Sequence, residues 1–398
     1  MRISTMSMYN QSVASMNRQQ SDFADISQKI ASGKRVVSIA DDPQAMTKAI
    51  DVRQSQALNE QFSAARVGVR NNLSQEESLL NSVTDTYSRA KTLLVQAASD
   101  SLSDLDRASV ASELKGLYQS LEGLANTRDA NGQYLFAGYA DDTAPFAKDA
   151  NGSLNYIGST DVREQQVDSE RRMAVGHSGD EIFAAVHPSA SYGFQAAQDN
   201  QGSLKVGNLA IIDPNHVNFG QKYDISFETN AGQLQYRVNN GQAQDYASPM
   251  TLALDGVEVE LTGTPTAGDS LSVGRGADLP TNIFKTMENV IAVLDKPAAD
   301  DASKAQRANQ IRSAMQQFDN GLDNVLTKRA ELGARLNELD SLDVISGNQT
   351  LANAQTTSDL TDLNYVEASA EYSLRIVGLQ AAQQTFASMK DMSLFKFL

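Results

Sequence analysis

Cysteine is absent from all 398 residues, so no disulfide staples this fold and no thiolate holds a metal. That silence suits either side of a membrane. Histidine is scarce: His177, His187 and His216 lie in turn-rich sequence with no second ligand at metal spacing, which gives them solvent-facing or structural roles. HExxH, histidines paired three to five apart and a glycine-rich phosphate loop ending in Lys-Ser/Thr are all missing. Gly274-Arg275-Gly276 lacks the third glycine and the following helix of a dinucleotide site, and reads as a turn. No run approaches ~18 uncharged apolar residues, and the first thirty hold Arg2 but no apolar core of a secretory signal. The expectation is a soluble chain without membrane insertion that, if exported, leaves by a route needing no such signal.

Positive charge is in deficit, with 33 basic against 49 acidic side chains and a net charge of −16. Such a field repels polyanions, which disfavours nucleic acid as a partner. Lys29, Lys34 and Arg35 form the strongest basic cluster and read as a solvated helix end. Among the acids, the pairs Asp41-Asp42, Asp141-Asp142 and Asp300-Asp301 stand beside a proline or a helix start, where a carboxylate accepts orphan amide hydrogens. Capping explains them better than catalysis. Two Asp-Ala-Asn-Gly turns, at 129–132 and 149–152, place glycine too early for an EF-hand loop. No catalytic, cofactor or metal site is expected, and the chain reads as a non-enzyme.

What is present is helical periodicity. Near the start Met6, Tyr9, Val13 and Met16 recur at spacings of three and four, and Phe23, Ile26 and Ile30 resume the stripe after polar Gln20. Near the end Tyr365, Tyr372, Ile376, Leu379, Phe386 and Met389 do the same. Each stripe leaves most of its helix polar, so each needs a partner helix or a neighbouring copy. Between them, a register from about Gln54 to Ser99 without proline predicts a helix of roughly 65 Å. Ser103 and Asp104 offer an N-cap for a second helix seamed by Val110, Leu114, Leu117, Leu121 and Leu124, folded back antiparallel. Gln133 to Tyr139 is strand-like and rich in aromatics.

From about Ala140 to Asp278 the pattern alternates in twos. Tyr223, Ile225 and Phe227 share one face, as do Leu234, Tyr236 and Val238, and Val257, Val259 and Leu261, with glycine-rich turns between them. Helical spacing returns at Ile283, Met287, Val290 and Leu294, breaks at Pro297, and resumes from Ile311 through Leu339. The resulting expectation is a mainly α chain with an inserted β domain: an elongated antiparallel helical rod whose first and last helices pair at one end. Residues 1–45 with 355–398 form a terminal coiled-coil assembly domain, 46–139 with 279–354 a helical rod domain with a β-hairpin, and 140–278 the inserted β domain.

Several passages resemble a known family. Ile30-Ala-Ser-Gly33-Lys34-Arg35 followed by Ala40-Asp41-Asp42-Pro43 is similar to the signature after the first helix of flagellins and flagellar hook-associated proteins. There Gly33 ends one helix, Asp41 or Asp42 caps the next, and Pro43 takes its first turn. Gly132 to Gly138, with Tyr134, Leu135 and Phe136, resembles a motif of the members that join hook to filament. So do Asp362 to Ala368 and the closing residues Ser393 to Leu398, with Phe395. Arg329 to Leu339 resembles the wider flagellin family. Asn364 departs from the usual Asp and Val366 from the usual Ala, and neither removes a seam residue. The β insertion carries no matching motif.

That resemblance implies a structural subunit of the bacterial flagellum at the hook–filament junction, secreted by flagellar type III export. It implies a ring of copies between hook-associated protein 1 and flagellin, and a cytoplasmic chaperone over the carboxyl-terminal helix. Terminal helices with few large apolar residues are expected to be disordered in the free chain and to fold when neighbours cover them. A flagellin filament subunit is the alternative within the family. The different-class alternative is a secreted adhesin acting through residues 140–278.

Overall fold

The computed structural model describes residues 5–99, 101–150, 152–186 and 191–391, with side chains from 7 to 388. The side chains of Met6 and Met389, and the residues Asn151, His187, Phe395 and Leu398, lie outside that description. The chain divides into two compact units, one made of Met1–Ala64 with Ser341–Leu398 and the other of Ala65–Asp340.

Helices dominate the terminal unit. It holds α1 (Thr5–Ser32), the opening of α2 (Pro43–Ala97), the close of α5 (Asp301–Thr361) and α6 (Tyr365–Asp391). The Asn59 amide donates to the Ser346 carbonyl and to the Thr350 hydroxyl, each at 2.9 Å, and Asn353 donates to Gln56 at 3.4 Å. Partner numbers rise on α5 as they fall on α2, so the two segments run antiparallel. Asn59 is a polar residue in a buried seam, and its paired amide fixes the register that apolar contacts alone leave loose.

In the second unit α2 and α5 pair in the same sense. Tyr87 meets Phe318 edge-on at 5.5 Å, Arg329 donates to Glu77 at 2.8 Å, and Arg70 donates to Asp340 at 2.6 Å. Helix α3 (Asp104–Ala125) begins where Ser103 predicts it, with a capping box closed by Asp106. Arg89 pairs with Glu113, positions symmetric about residue 101, so α3 folds back on α2 as expected. Its closer partner is α4 (Ile283–Leu294), where Tyr118 donates to Glu288 at 2.9 Å.

Leu114, Leu121, Val110 and Ala125 of α3 are buried, and Ile283, Met287, Val290 and Leu294 of α4 are buried as their spacing requires. Helix α2 starts at Pro43, eleven residues before the predicted register begins, because Asp42 supplies its cap.

Among the described residues of this unit there are twelve strands, all in antiparallel pairs. β1 (Phe146–Lys148) and β2 (Leu154–Tyr156) form one hairpin, and β3 (Glu164–Gln166) and β4 (Arg172–Ala174) another. Then follow β5 (Tyr192–Ala196), β6 (Lys205–Ile211), β7 (Tyr223–Asn230) and β8 (Gln233–Val238). β9 (Gln244–Asp245), β10 (Met250–Leu254), β11 (Val257–Thr262) and β12 (Ser270–Arg275) complete the set.

Five of them order as β5-β12-β7-β8-β9 and three as β10-β11-β6. The alternating faces meet in one core, with Ile225, Phe227 and Val273 from the larger sheet and Val206, Val259 and Leu261 from the smaller. Left-handed turns at Asn239-Asn240 and at Asp255-Gly256 close two of the hairpins.

The run from Gln133 to Tyr139 is not a strand. Only an isolated bridge joins Tyr134 to Arg128. Its amides serve other segments: Tyr134 donates to Asp141 at 2.9 Å and Leu135 to Thr127 at 3.1 Å. Phe136 is fully buried against Phe183, ring centroids 5.6 Å apart and edge-on, and Phe183 stacks at 5.6 Å from Phe284. Phe146 touches both Phe183 and Phe284. This four-ring cluster ties the segment, the first hairpin and α4 together, and burial of Phe136 overrides the β propensity of the sequence.

Gly138 turns away at φ +62°, where a Cβ would stand 2.5 Å from the carbonyl oxygens of Ser159 and Asp161.

Candidate assembly interface at the terminal helices

Helices α1 and α6 lie against each other along their length. Two aromatic contacts mark the seam: Phe23 with Tyr372 at 5.2 Å, and Tyr9 with Phe386 at 5.5 Å. Arg375 reaches across to Asp22 at 2.8 Å and back to Glu371 on its own helix at 3.1 Å. Opposite Gly378 the helices approach closely enough that a Cβ there would meet Gln19 Oε1 at 3.0 Å.

Of the described stripe residues, Ile26 alone is buried. Val13, Met16, Phe23, Ile30, Tyr372, Ile376, Leu379 and Phe386 are half-buried, and Tyr9 remains 45% exposed. Pairing two such helices covers one flank of each stripe and leaves the other open.

Tyr365 belongs to a different contact. Its hydroxyl lies 2.9 Å from where a Cβ on Gly33 would stand, and Gly33 holds φ +69°. A side chain there meets both backbone strain and the tyrosine, which is why this helix ends in glycine. Beyond Gly33 the two termini exchange backbone hydrogen bonds, Leu363 N to Gly33 O at 3.0 Å and Arg35 N to Thr361 O at 2.8 Å. The Arg35 guanidinium donates to Leu360 O at 2.7 Å and pairs with Asp42 at 3.3 Å. Lys29 pairs with Asp25 and Lys34 with Asp362, so each cation of the basic cluster has an acidic partner.

The paired acids divide the work at this joint. Asp41 accepts the amides of Val37 at 2.9 Å and Ser38 at 2.7 Å, closing the turn before the helix. Asp42 accepts the Ala45 amide at 3.0 Å and caps α2, with Pro43 in the first turn. Both carboxyls are held below the usual carboxylate range, Asp41 by the amides of Ser38 and Val37, Asp42 by the Ala45 amide and then Arg35. Asn364 caps α6, accepting the Val366 amide at 3.1 Å, so it keeps the function a carboxylate would have there.

Asp300 likewise accepts the Ser303 amide at 2.8 Å. Asp141 does not cap a helix. It takes an ion pair from Arg163 at 2.6 Å, because no helix begins beside it.

Sequence reasoning missed two residues that seal the joint, Val36 and Thr361, which are buried there beside Ala368. Their signal was weak, since each is small or isolated and only the fold brings 361 to 35. His177 was likewise opaque. It is buried between Glu76, at 2.7 Å from Nδ1, and Glu331, at 3.1 Å from Nε2, far apart in sequence.

A chain that builds long helices flanking a β insertion, and pairs its two ends through a capped joint, belongs to the flagellin-like class. The model of the bacterial flagellin N-terminal helical region matches residues 3–141. Over its full length the chain is 32% identical to flagellar hook-associated protein 3 of Escherichia coli K12, covering 99% of that protein. Against the protein of the same name from Salmonella typhimurium it is 30% identical, again over 100% of this chain and 99% of the relative.

The crystal structure of the flagellar junction protein FlgL from Legionella pneumophila aligns with a TM-score of 0.64 at 25% identity, covering 79% of this chain and 100% of that one. The chain belongs to the flagellar hook-associated protein 3 family. Its location is that of the family, the bacterial flagellum at the hook–filament junction. No helix among the described residues is long and apolar enough to cross a membrane.

Proposed function

We propose that this protein is a non-enzymatic joint, packing its terminal helices against those of hook-associated protein 1 on one side and flagellin on the other, in a ring of its own copies. One observation carries the reading. More than half of the exposed large apolar side chains among the described residues lie in the terminal unit, which holds less than a third of the chain.

On α6 these include Val366 at 83%, Leu374 at 70% and Val377 at 62% exposure. With Ala370 and Ala381 they make a second helical stripe, on residues that the α1 contact leaves open. A helix apolar on two flanks and paired on one is built for neighbours.

The stripe residues Tyr9, Val13, Met16, Phe23, Ile26, Ile30, Tyr372, Ile376, Leu379 and Phe386 are the proposed assembly surface. Ile376, Leu379 and Phe386 each contribute about 1.5 to 3 kcal/mol once fully covered. Uncovered, the same surface invites aggregation, which is the reason for a cytoplasmic chaperone on the carboxyl-terminal helix before passage through the type III export apparatus. We assign assembly to residues 1–45 with 355–398, the stiff body to 46–139 with 279–354, and a separate surface role to 140–278.

Loss of the gene tests this reading: the expected phenotype is hooks without filaments and unattached flagellin in the medium. Filaments still attached to hooks would contradict it.

A further inference from the structure

In a chain with 49 acidic and 33 basic side chains, one cleft reverses the balance. It lies in the second unit, where α3 begins beside α5 and β6, and has a volume of roughly 690 Å³. Arg107, Lys205, Lys304, Arg307 and Arg312 line it, against one carboxylate among the described residues, that of Asp104. Ile311 and Met315 contribute apolar wall.

The pairing within the cleft leaves charge uncompensated. Arg107 is 6% exposed. Its Nη1 donates to Leu102 O at 2.5 Å and its Nη2 to Ser99 O at 2.7 Å, while Nε is buried with no partner. Carbonyls satisfy hydrogens but do not neutralise a cation. Among the described residues its ion-pair partner is Asp104, 3.6 Å from Arg107 and shared with Arg307 at 3.0 Å, while Asp106 acts on Arg107 only through space. Among the described residues Asp104 is thus the one carboxylate in ion-pair reach of the two guanidinium groups, both largely removed from water. Buried cations in that position call for a further anion.

Around them, Arg312 spends one nitrogen on Val206 O at 2.7 Å, and Lys304 pairs with Asp301 at 3.2 Å. Asp300 is engaged by Ser303. Lys205 is exposed and makes no ion pair among the described residues.

We propose that this cleft is a binding site for a small oxyanion of two or more charges, of the diphosphate or polycarboxylate class. The arginines supply fixed positive charge to such a ligand, and the two lysines supply charge at the mouth without fixed geometry. The volume lies within the range of small-molecule sites. This role is independent of filament joining, since none of these residues lies in the terminal unit.

Titration of the full-length protein by calorimetry with pyrophosphate and, separately, with citrate tests the site, each against sodium chloride at matched ionic strength. Saturable binding of either anion with a dissociation constant below about 1 mM is expected. Binding of both defines oxyanion chemistry in general, and binding of pyrophosphate alone defines phosphate. The double variant Lys205→Ala with Lys304→Ala removes charge from exposed positions and leaves the buried arginines in place. It is expected to weaken binding about tenfold or more with an unchanged circular dichroism spectrum. No saturable heat with either anion, an effect equal to that of chloride, or equal affinity in the folded double variant would overturn the assignment.

Discussion

Gly33 sits where three demands meet: a helix must end, the chain must turn left-handed, and the Tyr365 hydroxyl must fit beside it. Replacing it with alanine costs about 1 to 2 kcal/mol from the left-handed backbone alone. The amides of Arg35 and Leu363, which bond across the joint, should then exchange roughly tenfold faster. Adding Tyr365→Phe removes the hydroxyl and recovers part of the loss. Unchanged exchange in Gly33→Ala would show that the joint does not depend on this geometry.

Acid acts on the same joint with a definite sign. Asp41 and Asp42 have lowered folded values, so the unfolded chain takes up protons first as pH falls. Their contribution is complete above the ordinary carboxylate range and is lost as the pH drops through the lowered values. Exchange at residues 35–45 measured from about pH 5 to about pH 2 should show this loss. Asp41→Asn with Asp42→Asn should flatten the profile.

His177 makes the matching point in the interior. Its partners Glu76 and Glu331 come from paired helices far apart in sequence, so no local spacing announces the contact. Removing the ring as His177→Ala strands a buried Glu76 carboxylate and should cost about 3 to 5 kcal/mol, read as a lower denaturation midpoint.

The long helices were legible because their period repeats many times: α3 begins at its predicted cap and α4 buries its predicted face. Strands β7 and β11 were legible for the same reason, with alternating residues buried. Where an element is short, periodicity has too few repeats to show. β1 to β4 are three residues each, and none stands out by spacing.

The segment 133–139 misled because aromatic residues favour strands, yet Phe136 is needed in a cluster with Phe146, Phe183 and Phe284 that only the tertiary fold assembles. The leading aspartates of the two Asp-Ala-Asn-Gly segments act alike. In each the aspartate carboxylate accepts the amide four residues on, Gln133 at 2.9 Å and Ser153 at 3.0 Å.

The ring cluster carries a prediction of its own. Phe183→Ala, at a fully buried position, should destabilise the protein by about 3 to 5 kcal/mol, measured by chemical denaturation. A smaller effect would mean that the neighbouring rings close the cavity. At the terminal seam, a double-mutant cycle on Phe23 and Tyr372 should return a coupling of about 0.5 to 1.5 kcal/mol beyond the area lost.

At the scale of the whole molecule the distribution of apolar surface decides the account. The β insertion encloses its core between two sheets, whereas the terminal helices display Leu374, Val377 and half-buried aromatic residues. Removal of residues 380–398 takes Phe386 and part of the open stripe but none of the second unit. The truncated protein should therefore keep its cooperative unfolding transition while losing the proposed attachment to flagellin and to an export chaperone. The stripe was readable in the sequence, and the half-open state of each stripe was not, since that depends on how two helices face each other.

The most direct test of the joining role is the position of the protein in the cell. Electron micrographs of gold-labelled cells carrying a tagged copy should show a single band where hook meets filament. Label spread along the filament would contradict the account and make the chain a filament subunit instead.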